Sequence, residues 1–114
     1  MNLEKSLEQH GFREYSDSRP IPPHENATSL WQIRIKNNAG QTLYFITAFF
    51  YEKFEQHLKD GIEFEAHLYP SMNNKHWITL EFHGCDQEQD IHIAMEFFRH
   101  AYHSLWCQPD IHNQ

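Results

Sequence analysis

The sequence predicts an α+β fold: an antiparallel four-stranded sheet roofed by a C-terminal helix, with a short N-terminal helix. Three observations predict it. Three segments alternate apolar and polar residues with the period of two that marks half-buried strands, and a fourth is β-rich and apolar on both faces. One long segment near the C-terminal end repeats its apolar residues at helical spacing. The 114 residues, 39% hydrophobic and 15% aromatic, suffice for a single core spanning 1–114 as one domain.

Asn2 suits the cap of a first helix with Leu3 and Leu7 on one side and Gly11 as its stop. Residues 13–29 read as an irregular crossing, because Pro20, Pro22 and Pro23 deny regular hydrogen bonding. Leu30–Lys36 then alternates, with Trp31, Ile33 and Ile35 on one face. Asn37-Asn38-Ala39-Gly40 forms a turn, and Thr42–Phe50 returns as a β-rich segment, apolar on both faces. Tyr51–Lys59 fits either a short helix, with Phe54 and Leu58 at i,i+4, or an extension of the strand.

Ile62, Phe64, Ala66 and Leu68 mark a third strand. After a turn over 70–75, Ile78, Leu80 and Phe82 mark a fourth. Asp86 opens the last helix, with Gln89 completing a capping-box pattern, and the helix runs to about Trp106. Its broad apolar side comprises Ile93, Ala94, Met95, Phe97, Phe98, Ala101, Tyr102 and Leu105. Residues 108–114 read as a flexible tail.

Charge is unevenly placed. The formal net charge is -7; residues 1–51 balance, whereas residues 52–96 hold ten acids against three bases. Such a chain is a poor match to nucleic acid or an anionic membrane and suits a basic protein surface. Matching the apolar faces of the third and fourth strands sets Leu68 near Ile78, Ala66 near Leu80 and Phe64 near Phe82. The same register sets Glu65 opposite Glu81, Glu63 near His83 and Tyr69 near Trp77. Like charges directly opposite destabilise a sheet pair by ~0.2–1 kcal/mol. A solvated face accounts for them; so does a docking surface. The candidate partner-binding residues are therefore Glu63, Glu65, Tyr69, Trp77 and Glu81.

Ten histidines invite a metal reading. His92, Glu96, His100, His103 and Cys107 share one helical stripe, opposite the Phe97, Phe98 and Ala101 side. The outer two stand ~22 Å apart along the axis, so only neighbours such as Glu96, His100 and His103 could share an ion. No metal or cofactor is expected. Cys85 and Cys107, ~30 Å apart if the helix is straight, lie too far apart for a disulfide. No phosphate loop or nucleophile elbow occurs, which predicts a protein that is not an enzyme. The charged start Met1-Asn2-Leu3-Glu4-Lys5 lacks the apolar stretch of a secretory signal, so the expected setting is cytoplasmic, and Asn26-Ala27-Thr28 is a chance glycosylation match.

Leu7-Glu8-Gln9-His10-Gly11-Phe12, Gly40-Gln41-Thr42-Leu43-Tyr44-Phe45-Ile46 and Glu96-Phe97-Phe98 resemble small phage and prophage proteins of unknown function. The resemblance implies an inhibitor of host defence, of the anti-CRISPR type, that docks on a basic nucleic-acid-handling protein. The element order also resembles acidic bacterial secretion chaperones, usually dimers, on condition that Tyr51–Lys59 is helical. That second resemblance implies a homodimer. A helix-borne metal-binding module is the third alternative.

Overall fold

In the computed structural model, the described residues are 2–15, 23–54, 59–70 and 75–106. The elements run α1 (Leu3–Gln9), β1 (Arg13–Glu14), β2 (Ser29–Lys36), β3 (Thr42–Phe54), β4 (Lys59–Leu68), β5 (Ile78–Cys85) and α2 (Glu88–Trp106). The fold is α+β, with every strand pair antiparallel and the strands side by side in chain order.

The sheet has five strands, not four. The extra one, β1, pairs Arg13 with Gln32 and Glu14 with Trp31. Two residues are too few to display a period, which is why 13–14 reads as loop in the sequence. The expected irregular crossing is thus shortened: Pro20 and Pro22 lie outside the described residues, and Pro23–Thr28 forms turns before β2. Tyr51–Phe54 continue β3 and Lys59 opens β4, with residues 55–58, including Leu58, outside the described set. At the described residues of this span the chain is strand, not the helix that the secretion-chaperone order requires.

Alternation divides the sheet into two faces. Tyr44, Ile46, Ala48 and Phe50 of β3 and Ile62, Phe64, Ala66 and Leu68 of β4 point into the core. Leu3 and Leu7 of α1, Phe12, and Ile91, Ala94, Phe98 and Tyr102 of α2 cover them. The register between β4 and β5 is Phe64–Phe82, Ala66–Leu80 and Leu68–Ile78, as apolar matching predicts. Phe12, Phe64 and Phe98 are almost wholly enclosed.

The helix ends follow local chemistry. The Asn2 side chain accepts from the Lys5 N–H at 3.0 Å, and Gly11 adopts φ +99° where α1 stops. At the other helix, the capping partner is Asp90 rather than Gln89: its Oδ2 accepts from the N–H groups of Asp86 and Gln87, both at 3.0 Å. The helix accordingly starts two residues later than Asp86. Its buried stripe is also narrower and rotated, since Ile93, Phe97 and Leu105 are exposed. Counting apolar residues alone overstates that stripe; a spacing of three to four from Ile91 selects the residues that meet the sheet.

Truncating a ring at the centre of this core tests the packing. Phe64→Ala should lower unfolding free energy by about 3–5 kcal/mol, measured by urea denaturation. A loss below about 1 kcal/mol would mean that the ring is not close-packed.

Candidate functional site on the open sheet face

The face turned away from the helices carries the polar chemistry. Along β3 it presents Phe45, Thr47, Phe49 and Tyr51, the residues alternate to the core positions. β4 adds Glu63, Glu65 and His67, and β5 adds Thr79, Glu81 and His83. Glu65 stands directly opposite Glu81, as the sequence register predicts. The ladder ends at Leu68–Ile78, one position short of Tyr69 and Trp77. Tyr69 leans toward Phe45, with ring centroids 6.1 Å apart, while Trp77 is 55% exposed. The three carboxylates are thus brought together, and the two aromatic residues sit at one end of them.

Histidines interleave these carboxylates. Glu63 Oε2 lies 3.7 Å from His24 Nδ1 and 3.3 Å from His83 Nδ1. Glu65 lies 3.8 Å from His24 Nε2 and 4.0 Å from His67 Nε2. Glu81 contacts His83 Nε2 at 2.8 Å. Each acid therefore has at least one imidazole beside it, which relieves the like-charge opposition of Glu65 and Glu81. Glu63 and Glu65 are largely screened by these contacts, whereas Glu81 and His83 are about half exposed.

His24 is the residue that sequence reasoning missed. It arrives from the turn before β2, is only 6% exposed, and stacks on Phe49 with ring centroids 3.7 Å apart. Tyr51 Oη lies 2.8 Å from its Nδ1. Burial first, then Glu63 and Glu25, push the Tyr51 phenol up to about 12, so it stays protonated at neutral pH. Tyr51 can then donate to Nδ1, which leaves the proton of a neutral His24 on Nε2, facing Glu65. The segment is tied down further by the Thr28 N–H, which donates to the Phe50 carbonyl at 2.7 Å, and by the Glu52 N–H, which donates to Thr28 Oγ1 at 3.1 Å. Nothing in the local sequence signals this contact, since His24 and Phe49 are joined only by the fold.

His67 lies flat on Phe45, with centroids 4.7 Å apart, and its Nδ1 is buried without a hydrogen-bond partner among the described residues. Leaving a lone pair there is less unfavourable than burying an unpaired N–H, which places the proton on Nε2 toward Glu65.

The opposite end of the face is basic. Arg13 of β1 and Arg34 of β2 project on the same side as Gln32, which donates to Thr47 Oγ1 at 3.2 Å and accepts from Tyr15 Oη at 2.8 Å; Lys36 follows Arg34 by alternation along β2, just past a register shift against β3. The Arg34 guanidinium lies 5.2 Å from the Phe45 ring centroid. The open face is therefore bipolar, with cations over β1–β2, rings along β3 and carboxylates over β4–β5.

The metal candidates on α2 take other partners. Arg99 donates to both Glu96 oxygens, at 2.8 and 3.1 Å, and this hydrogen bonding holds the Glu96 carboxyl below its usual range. His100 Nε2 lies 3.5 Å from the same guanidinium. His92, His100 and His103 are exposed, and Cys107 lies outside the described residues. No group of three or more His, Cys, Asp or Glu among the described residues is placed to hold a metal ion. No helix among the described residues is long and apolar enough to cross a membrane.

Cys85 is enclosed at the end of β5. Burial first, then Asp90 and Asp86, push its thiol from 9.0 up to about 12. Such a thiol is an inert core group rather than a nucleophile.

Comparison with protein-family models, curated proteins and solved structures finds no match for the chain.

Two outcomes follow from this geometry. His24→Ala should lower unfolding free energy by about 1–3 kcal/mol through loss of the ring stack and the Tyr51 hydrogen bond, read by chemical denaturation. Alkylation at pH 8 followed by peptide mapping should find Cys85 slower in the native than in the unfolded chain by roughly three orders of magnitude, the change in thiolate fraction that its shift implies. Equal rates would show that the thiol is not enclosed.

Proposed function

We propose that this chain is a small protein-binding module that docks the acidic end of its open sheet face onto a basic protein surface. The observation that carries the reading is the set of carboxylates Glu63, Glu65 and Glu81 gathered on one side of β4–β5, with exposed Trp77 at their end. A solvent-facing sheet designed for stability alone favours opposite charges across a ladder. Here three acids share a patch, and histidines, which are neutral or cationic according to pH, balance them in place of lysine or arginine. Trp77 supplies the kind of large apolar anchor that dominates binding energy. Docking by an acidic surface on a basic nucleic-acid-handling protein, as in phage inhibitors of host defence, is the setting that suits this chemistry best.

The test is capture of proteins from a bacterial lysate on the immobilised chain. Retained proteins should be basic and should elute between about 0.1 and about 1 M salt, over which the screening length shrinks from about 10 to about 3 Å. A Glu65→Lys, Glu81→Lys variant with an unchanged circular dichroism spectrum should reduce capture at least about tenfold. Undiminished capture by that variant would overturn the reading.

A further inference from the structure

The basic end of the open face has a geometry of its own. β1 begins only at Arg13 and pairs with β2 at Gln32 and Trp31, with the Tyr15 N–H continuing to Leu30, so a cleft of about 540 Å³ opens beside the other end of β2, toward Arg34 and Lys36, where Gly11 also borders it. Arg13, Tyr15, Gln32, Arg34 and Lys36 line it. Glu14 also borders the cleft, but it pairs with Trp31 and so points to the other side of the sheet.

Arg13, Arg34 and Lys36 form no ion pair among the described residues, in a chain with nine basic residues and sixteen acidic ones. Arg13 stands level with Gln32. The three cations therefore occupy successive two-residue levels along β2, roughly 7 Å apart.

The strand edge is open at the same place. The Leu30 carbonyl accepts from the Tyr15 N–H at 2.8 Å, so the backbone groups of β2 that face outward belong to Leu30 and its alternates. Arg34 is one of them, and no described backbone group outside β2 bonds it on that side.

We propose that this edge binds an extended acidic peptide, which adds as a strand along β2 beyond β1 and sets Asp or Glu side chains at alternate positions against Arg13, Arg34 and Lys36. Side chains on one face of an extended peptide recur at the spacing of these cations, and main-chain pairing with Arg34 supplies direction-specific affinity. A lone phosphate cannot span three charges at that spacing. A single nucleic-acid strand matches the charge but offers no strand ladder and meets the net charge of -7. This site is independent of the acidic end and stands whether or not that end docks a partner.

The test titrates the whole chain with three labelled probes: a peptide alternating Glu and Thr, a peptide of the same composition with the acids in one block, and an oligothymidylate of similar length. The alternating peptide should bind at least about tenfold more tightly than the block peptide and should slow hydrogen exchange of the Arg34 amide. Arg34→Glu with Lys36→Glu should weaken it at least about tenfold, and Arg34→Gln with Lys36→Gln should weaken it in the same direction. Arg34 and Lys36 are both exposed, so the thermal midpoint should not move in either variant. Glu65→Lys with Glu81→Lys should retain or strengthen peptide binding, which separates this site from the acidic end. Equal binding of the two peptides, an unchanged Arg34 amide, or tighter binding of oligothymidylate would overturn the proposal.

Discussion

Strand β3 is flanked along its length by two long partners, β2 and β4, and its side chains serve both layers of the molecule. Its core-facing residues, Tyr44, Ile46, Ala48 and Phe50, floor the helices, while Phe49 and Thr47 on the other side are nearly as enclosed. A strand in the middle of a sheet usually needs a second layer to be apolar on both faces. Here that second layer is minimal: the His24 imidazole over Phe49, the His67 imidazole over Phe45, and Gln32 across Thr47. Aromatic stacking by polar rings covers the apolar strand and brings ring nitrogen atoms beside Glu63 and Glu65. The open face owes its titratable character to this arrangement, because the rings that shield β3 are the same rings that neighbour the carboxylates of β4.

The two ends of that face differ in how their charges are held. At the acidic end the carboxylates sit within 4.0 Å of imidazoles, so their field is tempered locally and depends on how many imidazoles carry a proton. At the basic end Arg34 lies over the Phe45 ring, and Arg13, Arg34 and Lys36 form no ion pair among the described residues. A face with opposite signs at its two edges orients an approaching partner as well as attracting it. Its handedness, basic toward β1 and acidic toward β5, is fixed by the strand order.

Much of this was legible in the sequence where a pattern has a short period. The β4–β5 register, and with it the Glu65–Glu81 opposition, follows from matching Phe64, Ala66 and Leu68 to Phe82, Leu80 and Ile78. The capping of α1 follows from Asn2 and Gly11. Three things were hidden, each for a physical reason. Strand β1 is too short to alternate. His24 is buried by contact with a strand twenty-five residues away, and no local composition reports such a contact. The basic end escaped because residues 1–51 sum to zero; yet the Ser29 hydroxyl donates to Glu4 at 2.6 Å and Glu14 pairs with Trp31 on the core side, while Arg13, Arg34 and Lys36 line one cleft. Net charge of a segment is not the charge of a face.

The strands lie in the sheet in the order in which they occur in the chain, and this has a consequence for how the molecule assembles. Each ladder joins neighbours in sequence, so pairing can zip outward from β3, with short loops to close on either side of it and a longer one only before β2. The helix that supplies Ile91, Ala94, Phe98 and Tyr102 to the core follows all five strands. During synthesis the sheet can therefore form before its main cover exists, with Ile62, Phe64 and Ala66 still bare to water. The interval between completion of β5 and docking of α2 is the window in which the nascent chain is most prone to associate with others, and its length is set by the nineteen residues of that helix.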